Sequence, residues 1–512
     1  MAGATITTLD AVLKNYYLGP IQEQLNNSVL CLEMFEKYTV DWHGKQCVIP
    51  VHISRNSSAS GLDAYVDEGG TLPSPGAQGY ADLNVTAKFQ YGKFALTGQA
   101  IASARKGGSH TFISWMDSEM KKLVEDFRVT ANKTTIHGGP VRGFIVERVR
   151  GGGAGPGFDF NVTPGAQSVA AGAPFGTVPV TVGYDGDFSL FTGAVAANQA
   201  TWVRVQLTRL DTYNEIDRGG VTTGANANWF VSSADVGAGT ITISFGTDSA
   251  GGDFWTSNLI EGSRAIAVSI HPTQGVDSAG VNFGAAPPAV TKQPNGMFTN
   301  MGSRVHYGAS RNAADATAAP PVAAAGEAAI LRSHIITMSD EQHNSASAVA
   351  PPAGVVEGRV PLTLSRIQQA LDLTIADSTN KAVDGGGVEP DVFIMHPSMR
   401  QAYTSLFTAN ASMVLNAGQS DKPTKLIDGG FLDISYSGIP IKVSRAMATH
   451  MIVMLKMDTW CLTELQAPGF AELDGNVLSR TVNADRFEGY YRWYYNQVCK
   501  RPNNNVILCG II

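Results

Sequence analysis

HTFISWMDSEMKKLVEDFRVTANKTTIH, residues 110–137, contains neither Gly nor Pro. Phe112, Met116, Met120, Leu123, Val124 and Phe127 recur at three- and four-residue steps, which lays one apolar stripe along a helix. Glu119, Lys122, Glu125, Asp126 and Arg128 take the other faces. Ser109 offers a side-chain oxygen to a free first-turn amide, and Gly138-Gly139 supplies a stop. At 1.5 Å per residue the rod would be about 40 Å long. A helix of that length braces something extended.

What precedes it reads as extended. Residues 47–55 (CVIPVHISR) form a strand. Between 57 and 80, Gly61, Gly69, Gly70, Pro73, Pro75, Gly76 and Gly79 punctuate a loop that builds no core. Residues 80–90 then alternate, with Leu83, Val85, Ala87 and Phe89 on one side and Asp82, Asn84, Thr86, Lys88 and Gln90 on the other. After Tyr91 the apolar side passes to Phe94 and Leu96, with Gly92 placed for a bulge or bend. The pattern gives a two-stranded arm leading into a rigid helix. Such a ribbon is marginal alone in water, so another molecule is expected to cover it.

Composition narrows the function. The 512 residues carry a net charge of −7, which argues against broad phosphate binding. Gly is abundant, at 55 residues, and only 16% of residues are charged, which fits turn-rich β structure. No apolar run approaches a membrane span, and MAGATITTLDAVLKNYY lacks a signal-peptide core, so a cytosolic site of synthesis is expected. Cys31, Cys47, Cys461, Cys499 and Cys509 are odd in number and lack a CxxC pair, so buried free thiols are expected rather than zinc ligands.

Along the chain, residues 9–17 and 25–38 read as helices of an N-terminal arm, the second with Leu25, Val29, Leu32 and Phe35 as its stripe. Residues 140–150 form a strand that leaves the long helix, and GGGAGPG at 151–157 is a linker. No lysine occurs between Lys133 and Lys292. Within that span, β-type runs at 178–184, 202–210, 229–232, 240–245 and 265–270 indicate a small sandwich or barrel at 151–290. Residues 291–354 are loop-rich, with a low-complexity stretch at 313–329. Residues 362–377 form a helix with Leu364, Ile367, Leu371 and Ile375 on one face. Residues 390–407 read as strand, turn and helix, with Pro397 suited to the first helical position. Two strands flank Ser437-Gly438, a further strand is expected at 451–455, and two more flank Pro502-Asn503-Asn504.

Chemical motifs are weak. GGGAGPG lacks the GxGxxG spacing, Gly44-Lys45 and Gly92-Lys93 lack the rest of a P-loop, and no HExxH, GxSxG or EF-hand loop occurs. Asp185-Gly186-Asp187 and the acidic residues at 248–253 have calcium-like composition, but acidic turns are the commoner use. His334 and His343 are too far apart for one helix face and read as surface residues. The sequon at Asn56 carries no weight without secretion.

A short arm, an extended hairpin and a long spine helix, followed by these segments in this order, is similar to the major capsid protein family of tailed bacteriophages, whose fold herpesvirus capsids share. The similarity is one of pattern and order over residues 30–150 and 291–512. It implies an α+β phage major capsid fold with an inserted small β-barrel or sandwich. The corresponding domains are an N-terminal arm (1–46), an extended hairpin loop (47–100), a peripheral domain with the spine helix (101–150), the inserted β-domain (151–290), a loop-rich connection (291–354), an axial domain (355–465) and a return to the peripheral domain (466–512). It further implies a structural subunit, not an enzyme and without cofactor, that forms hexamers and pentamers around double-stranded DNA. A separate scaffolding protein and a portal are the expected partners, with room for a decoration protein on the insertion and no sequence-specific DNA contact. The expected location is the virion, assembled in the host bacterial cytoplasm, with no scaffolding segment removed from the N-terminus. Asp63, Asp67 and Glu68 near the hairpin tip, and Arg105 and Lys106 at the base of the spine helix, are the candidate assembly contacts. Solvated loop charges are the plainer reading of these five residues. Some family members crosslink a loop lysine to a neighbour's asparagine. Lys88 and Lys93 lie in the return strand, but no motif carries that chemistry over. The alternatives are another virion part, such as a tail or decoration protein, and a β-rich enzyme acting on polysaccharide.

Overall fold

The computed structural model describes residues 30–38, 42, 46–54, 65–72, 74–76, 78–99, 101–102, 109–146, 175–191, 203–210, 213, 229–237, 239–246, 266–271, 292–311, 331–337, 361–376, 389–409, 434–472, 478–480 and 485–511. The expected helix at 9–17, the acidic residues at 248–253, the low-complexity stretch at 313–329 and His343 lie outside these residues. So do Asn56, Asp63, Arg105 and Lys106.

The long helix runs from Ser109 to His137. It stops where two glycines allow it to. The Gly138 amide makes the last helical bond to the Thr134 carbonyl at 2.8 Å, and Gly139 takes φ +83°, the left-handed conformation that ends many helices. Side chains of residues 109–118, Phe112 and Met116 included, are outside the described set. Farther along, Leu123 and Val124 are half-buried, and Phe127, Ala131 and Ile136 are buried.

Upstream, residues 25–29 of the helix expected at 25–38 lie outside the described residues, and its described part is helical over Leu30–Met34. Residues Glu36–Tyr38 become a strand, β1, paired parallel with Trp460–Phe470, β18. Phe35 turns the chain there: it is buried with its ring 5.6 Å from Trp460, and the β18 edge offers backbone partners that outweigh continued helix. The hairpin strands are Gln46–Ser54, β2, and Gly79–Thr86, β3, which among the described residues pair only with each other, as a two-stranded ribbon. Lys88–Thr97, β4, pairs instead with Arg486–Cys499, β20, without a register break. The change of phase therefore falls at Ala87, where the chain passes from ribbon to sheet, and not at a bulge around Gly92. Gly92 has another purpose. A Cβ there would stand 3.3 Å from Leu123 Cδ1 and 3.4 Å from Phe127 Cδ2, so its bareness lets the long helix lie close to the strand.

After the helix, Val141–Ile145, β5, opens a closed barrel. Its other strands are Phe175–Gly186 (β6), Val203–Arg209 (β7), Trp229–Asp235 (β8), Thr240–Gly246 (β9) and Ile266–Ile270 (β10), in the closed order β10-β5-β6-β9-β8-β7. Every pairing is antiparallel. Tyr184, Phe191, Val205, Leu207, Val231, Ile241, Ile243 and Val268 fill its interior. The barrel takes its first strand from upstream of residue 151, because β5 is the strand that joins β10 to β6.

Residues 292–311 are more ordered than a loop-rich reading implies. They hold Met297–Gly302, a helix whose residues are all buried, and the small hairpin of Val305–His306 (β11) and Ala309–Ser310 (β12). Arg311, fully buried, donates to the carbonyls of Met301 (2.8 Å), Ser303 (3.0 Å) and Asn300. It thereby caps that helix at its C-terminal end, where a cation is favoured.

The second sheet has six strands. In chain order these are His334–Thr337 (β13), Val392–Met395 (β14), Ser435–Tyr436 (β15), Ile439–Val443 (β16), Ile452–Leu455 (β17) and Val506–Cys509 (β21), arranged β13-β21-β17-β14-β16-β15. Ser437 (φ 51°) and Gly438 (φ 83°) make the two-residue turn between β15 and β16. The apolar runs of the central strands are continuous because both faces are covered. On one face Phe393, Met395, Ile452, Met454, Val506 and Leu508 meet helices Leu364–Ala376 and Pro397–Ala409. On the other, Val392, Ile394, Val453, Leu455, Ile507 and Cys509 join a core with Phe127, Ile136, Phe144, Trp460 and Trp493. Two expectations change here. Only β20 returns beside the long helix, whereas β21 crosses to this second sheet, because β17 and β13 leave an opening one strand wide. In helix Leu364–Ala376, Ile375 is exposed, and the buried face is Ile367, Ala370, Leu371 and Thr374.

Candidate assembly surface

The ribbon is docked by one face only. Alternation sends Cys47 and Val51 of β2 and Leu83 and Val85 of β3 inward, onto Ala309, Leu331, Cys461 and Val498. One backbone bond adds to this, Asn84 N–H to the Tyr307 carbonyl at 2.8 Å. The opposite face stays open. Val48 and Tyr80 are exposed there, with the His52 ring 5.3 Å from Tyr80 and its Nε2 2.6 Å from Gln78 Oε1. Another molecule was expected to cover the ribbon; half of it is sheltered by its own body.

The tip carries apolar groups into solvent. Asp67 to Gly70 forms a tight turn, the Gly70 amide donating to the Asp67 carbonyl at 2.8 Å with Gly69 at φ +79°. Around it Tyr65 is 85% and Leu72 81% exposed, values that leave nearly the whole side chain without protein contact. Asp67 and Glu68 are exposed and, among the described residues, form no ion pair. The pairing of Asp63, Arg105 and Lys106 lies outside the described residues.

A second open face lies on β4 and β20, opposite the long helix. Gln90, Gly92, Tyr491, Trp493 and Tyr495 face the helix: Phe127 and Tyr491 meet edge to face at 4.8 Å, and the Tyr495 hydroxyl lies 3.1 Å from Thr134 Oγ1. The alternate residues point away. Phe89 is 57% and Tyr91 59% exposed, and both rings meet Tyr494 edge-on, at 4.9 and 5.7 Å. The Tyr91 and Tyr494 hydroxyls lie 2.8 Å apart, a bond that pushes the Tyr91 phenol up. Arg492 lies 5.8 Å from the Tyr494 ring centre, within cation–π range. The sequence pattern placed Phe89 on the apolar side with Leu83, Val85 and Ala87; the phase change at Ala87 turns it outward with Tyr91 instead.

Farther along this face Glu488 gathers charge. Its carboxylate is met by Lys93 Nζ at 2.7 Å, Arg486 Nη2 at 2.6 Å and the Tyr490 hydroxyl at 3.0 Å. The Lys93 bond, helped by Tyr490 and Arg486, holds the carboxyl down to about 2, and Glu488 in turn raises the Lys93 ammonium. Lys93 is thus engaged within its own chain. Lys88 is half-buried, and burial lowers its ammonium.

Among the described residues, no group of three or more His, Cys, Asp or Glu is placed to hold a metal. Asp187 bonds Ser189 and Arg142, and Asp185 accepts the Gly510 amide at 2.8 Å, so both acidic side chains serve the fold. All five cysteines are buried, and none of them forms a disulfide. No described helix is long and apolar enough to cross a membrane.

No protein-family model matches the chain, and no curated protein matches it in sequence. Among solved structures it is similar to the cyanophage A-1(L) capsid asymmetric unit, at 10% identity and TM-score 0.43 over 99% of each chain. It is similar to the capsid of the native GTA particle, at 8% identity and TM-score 0.40 over 98% of this chain and 99% of that one. It is also similar to the cyanophage Pam1 capsid asymmetric unit, at 10% identity and TM-score 0.40 over 97% and 96%.

Proposed function

We propose that this chain is the structural subunit of an icosahedral phage capsid, one that assembles with its own copies into hexamers and pentamers around double-stranded DNA. The observation that carries the reading is the ribbon. Its inner face is anchored, while its outer face and tip present Val48, Tyr65, Leu72 and Tyr80 to solvent. Exposed apolar side chains grouped on an anchored projection mark an interaction surface. The aromatic and arginine-bearing face of β4 and β20 has the composition of interface hot spots. A closed symmetric array needs each contact to be only modest, because many act together.

In this proposal the arm, the ribbon and the long helix reach neighbouring copies, the six-stranded sheet lies in an axial domain, and the barrel stands out from the shell. Asp67 and Glu68, with Asp63, meet basic groups of the next copy, and Arg105 and Lys106 are the corresponding basic contacts at the helix base. A scaffolding protein and a portal act as partners, and DNA is enclosed without base-specific contact. The role calls for no catalysis and no cofactor. The test is the double change Asp67→Lys with Glu68→Lys, beside Leu72→Asp. Each should leave the urea midpoint unchanged and abolish closed particles under the electron microscope. Unchanged shell yield from both would remove the tip from the contact.

A further inference from the structure

Two chain passes form a neck between the barrel and the body, beside the barrel-root residues Phe144, Leu210, Tyr213 and Ala267 that pack into the body's core. Residues 138–140 lead out of the long helix, and residues 293–296 lead into the buried helix Met297–Gly302. The passes are pressed together. The Gly296 amide donates to the Gly138 carbonyl at 2.9 Å, and a Cβ on Gly296 would stand 2.5 Å from the Gly138 nitrogen. Thr299 Oγ1 donates to the same Gly138 carbonyl at 2.6 Å.

Arg142, on the first barrel strand, closes the neck. Its buried guanidinium donates from Nη1 to the His137 carbonyl at 2.8 Å and reaches Asp187 Oδ2 at 3.4 Å, while Nη2 donates to Gln293 Oε1 at 2.7 Å. One side chain thus ties the end of the long helix, the turn after β6 and the returning pass. His137 shares the joint. Its Nε2–H donates to the Ala446 carbonyl at 2.5 Å, its ring meets Phe298 edge-on at 4.9 Å, and its buried Nδ1 has no hydrogen-bond partner among the described residues. The charges that face it are Asp187 from the β6 turn, Arg142 from β5 and Lys133 from its own helix.

We propose that this joint is an acid-sensitive clamp: with His137 neutral, Arg142 and Asp187 hold the root of the barrel to the end of the long helix, and a proton on Nδ1 loosens the neck. The geometry gives the reason. A proton on Nδ1 is a second donor where nothing accepts it. It also divides Asp187 between two cations, which weakens the hold of Asp187 on Arg142. Burial lowers the His137 imidazole, with Asp187 and the Ala446 carbonyl pulling the other way. The clamped state is therefore fully favoured above about pH 6.5, the ordinary histidine value, and loses ground as pH falls through the lower folded value.

Hydrogen exchange of the intact chain tests this, corrected for the intrinsic pH dependence of exchange, in steps from about pH 7.5 to about pH 5. Peptides covering 138–146 and 266–271 should exchange at least about tenfold faster at the acid end, while 392–395 and 452–455 in the second sheet stay protected. His137→Gln keeps a donor for Ala446 and takes no proton, so its neck should show no pH step. A flat profile in the unaltered chain overturns the clamp without any variant. So does a step that persists in His137→Gln, or one in which the second sheet opens together with the neck.

Discussion

Glu488 and Gly489 sit next to each other on β20 and face opposite ways, and each sets a different limit on the sheet. The Glu488 carboxyl titrates at about 2 in the folded chain, below its ordinary value, so its contribution is complete above about pH 4.5 and disappears as pH falls toward 2. Glu488→Gln should therefore flatten the loss of stability in that acid window, read as urea midpoints against pH. Parallel profiles for the two proteins would show that Lys93 and Arg486 contribute nothing through this carboxylate. Gly489 faces the core, where a Cβ would meet Phe94 Cε1 at 2.4 Å. Gly489→Ala should cost about 1–3 kcal/mol in equilibrium unfolding, as overpacking does. A cost near zero would mean that Phe94 moves freely aside.

At the scale of elements, a buried bond and an exposed pair are among the contacts that join the short helix Leu30–Met34 to the long helix. The Leu32 amide donates to Asn132 Oδ1 at 3.0 Å, and Arg128 meets Glu33 at 2.8 Å on the surface. The buried bond should dominate. Asn132→Ala leaves the Leu32 amide without its partner and should cost about 1–3 kcal/mol, whereas Glu33→Ala should fall within about 0.5 kcal/mol. Denaturant titrations of both variants compare them directly, and equal losses would contradict this ordering. The same elements show what a sequence can and cannot carry. Ser109–His137 was legible because its apolar stripe and its glycine stop act locally, and strands such as Val203–Arg209 were legible because alternation survives inside a barrel. Glu36–Tyr38 was not, since its strand conformation comes from pairing with Cys461 to Thr463, far along the chain. Local pattern likewise says nothing of β21, which leaves β20 to pair with β17 and β13. In the candidate surface, the exposed acidic turn at Asp67 and Glu68 was legible. The aromatic face was missed because Tyr494, which gathers Phe89 and Tyr91, lies on a strand that only the fold brings there.

At the scale of the whole molecule, the long helix, the barrel root, the second sheet and β20 share one core, so force applied at the ribbon passes into a connected body. Around that body the outer face of the ribbon, its tip and the Phe89–Tyr91–Tyr494 face are left uncovered. In the proposed shell, neighbouring copies would cover these surfaces. The most direct measurement is electron microscopy, paired with sedimentation, of the full chain expressed alone and with a scaffolding protein. Closed particles of uniform diameter, with density joining the ribbon of one copy to another copy, are the expected result. A chain that sediments as a monomer in every preparation, with the ribbon's outer face and tip still open to solvent, would contradict a role in building a shell.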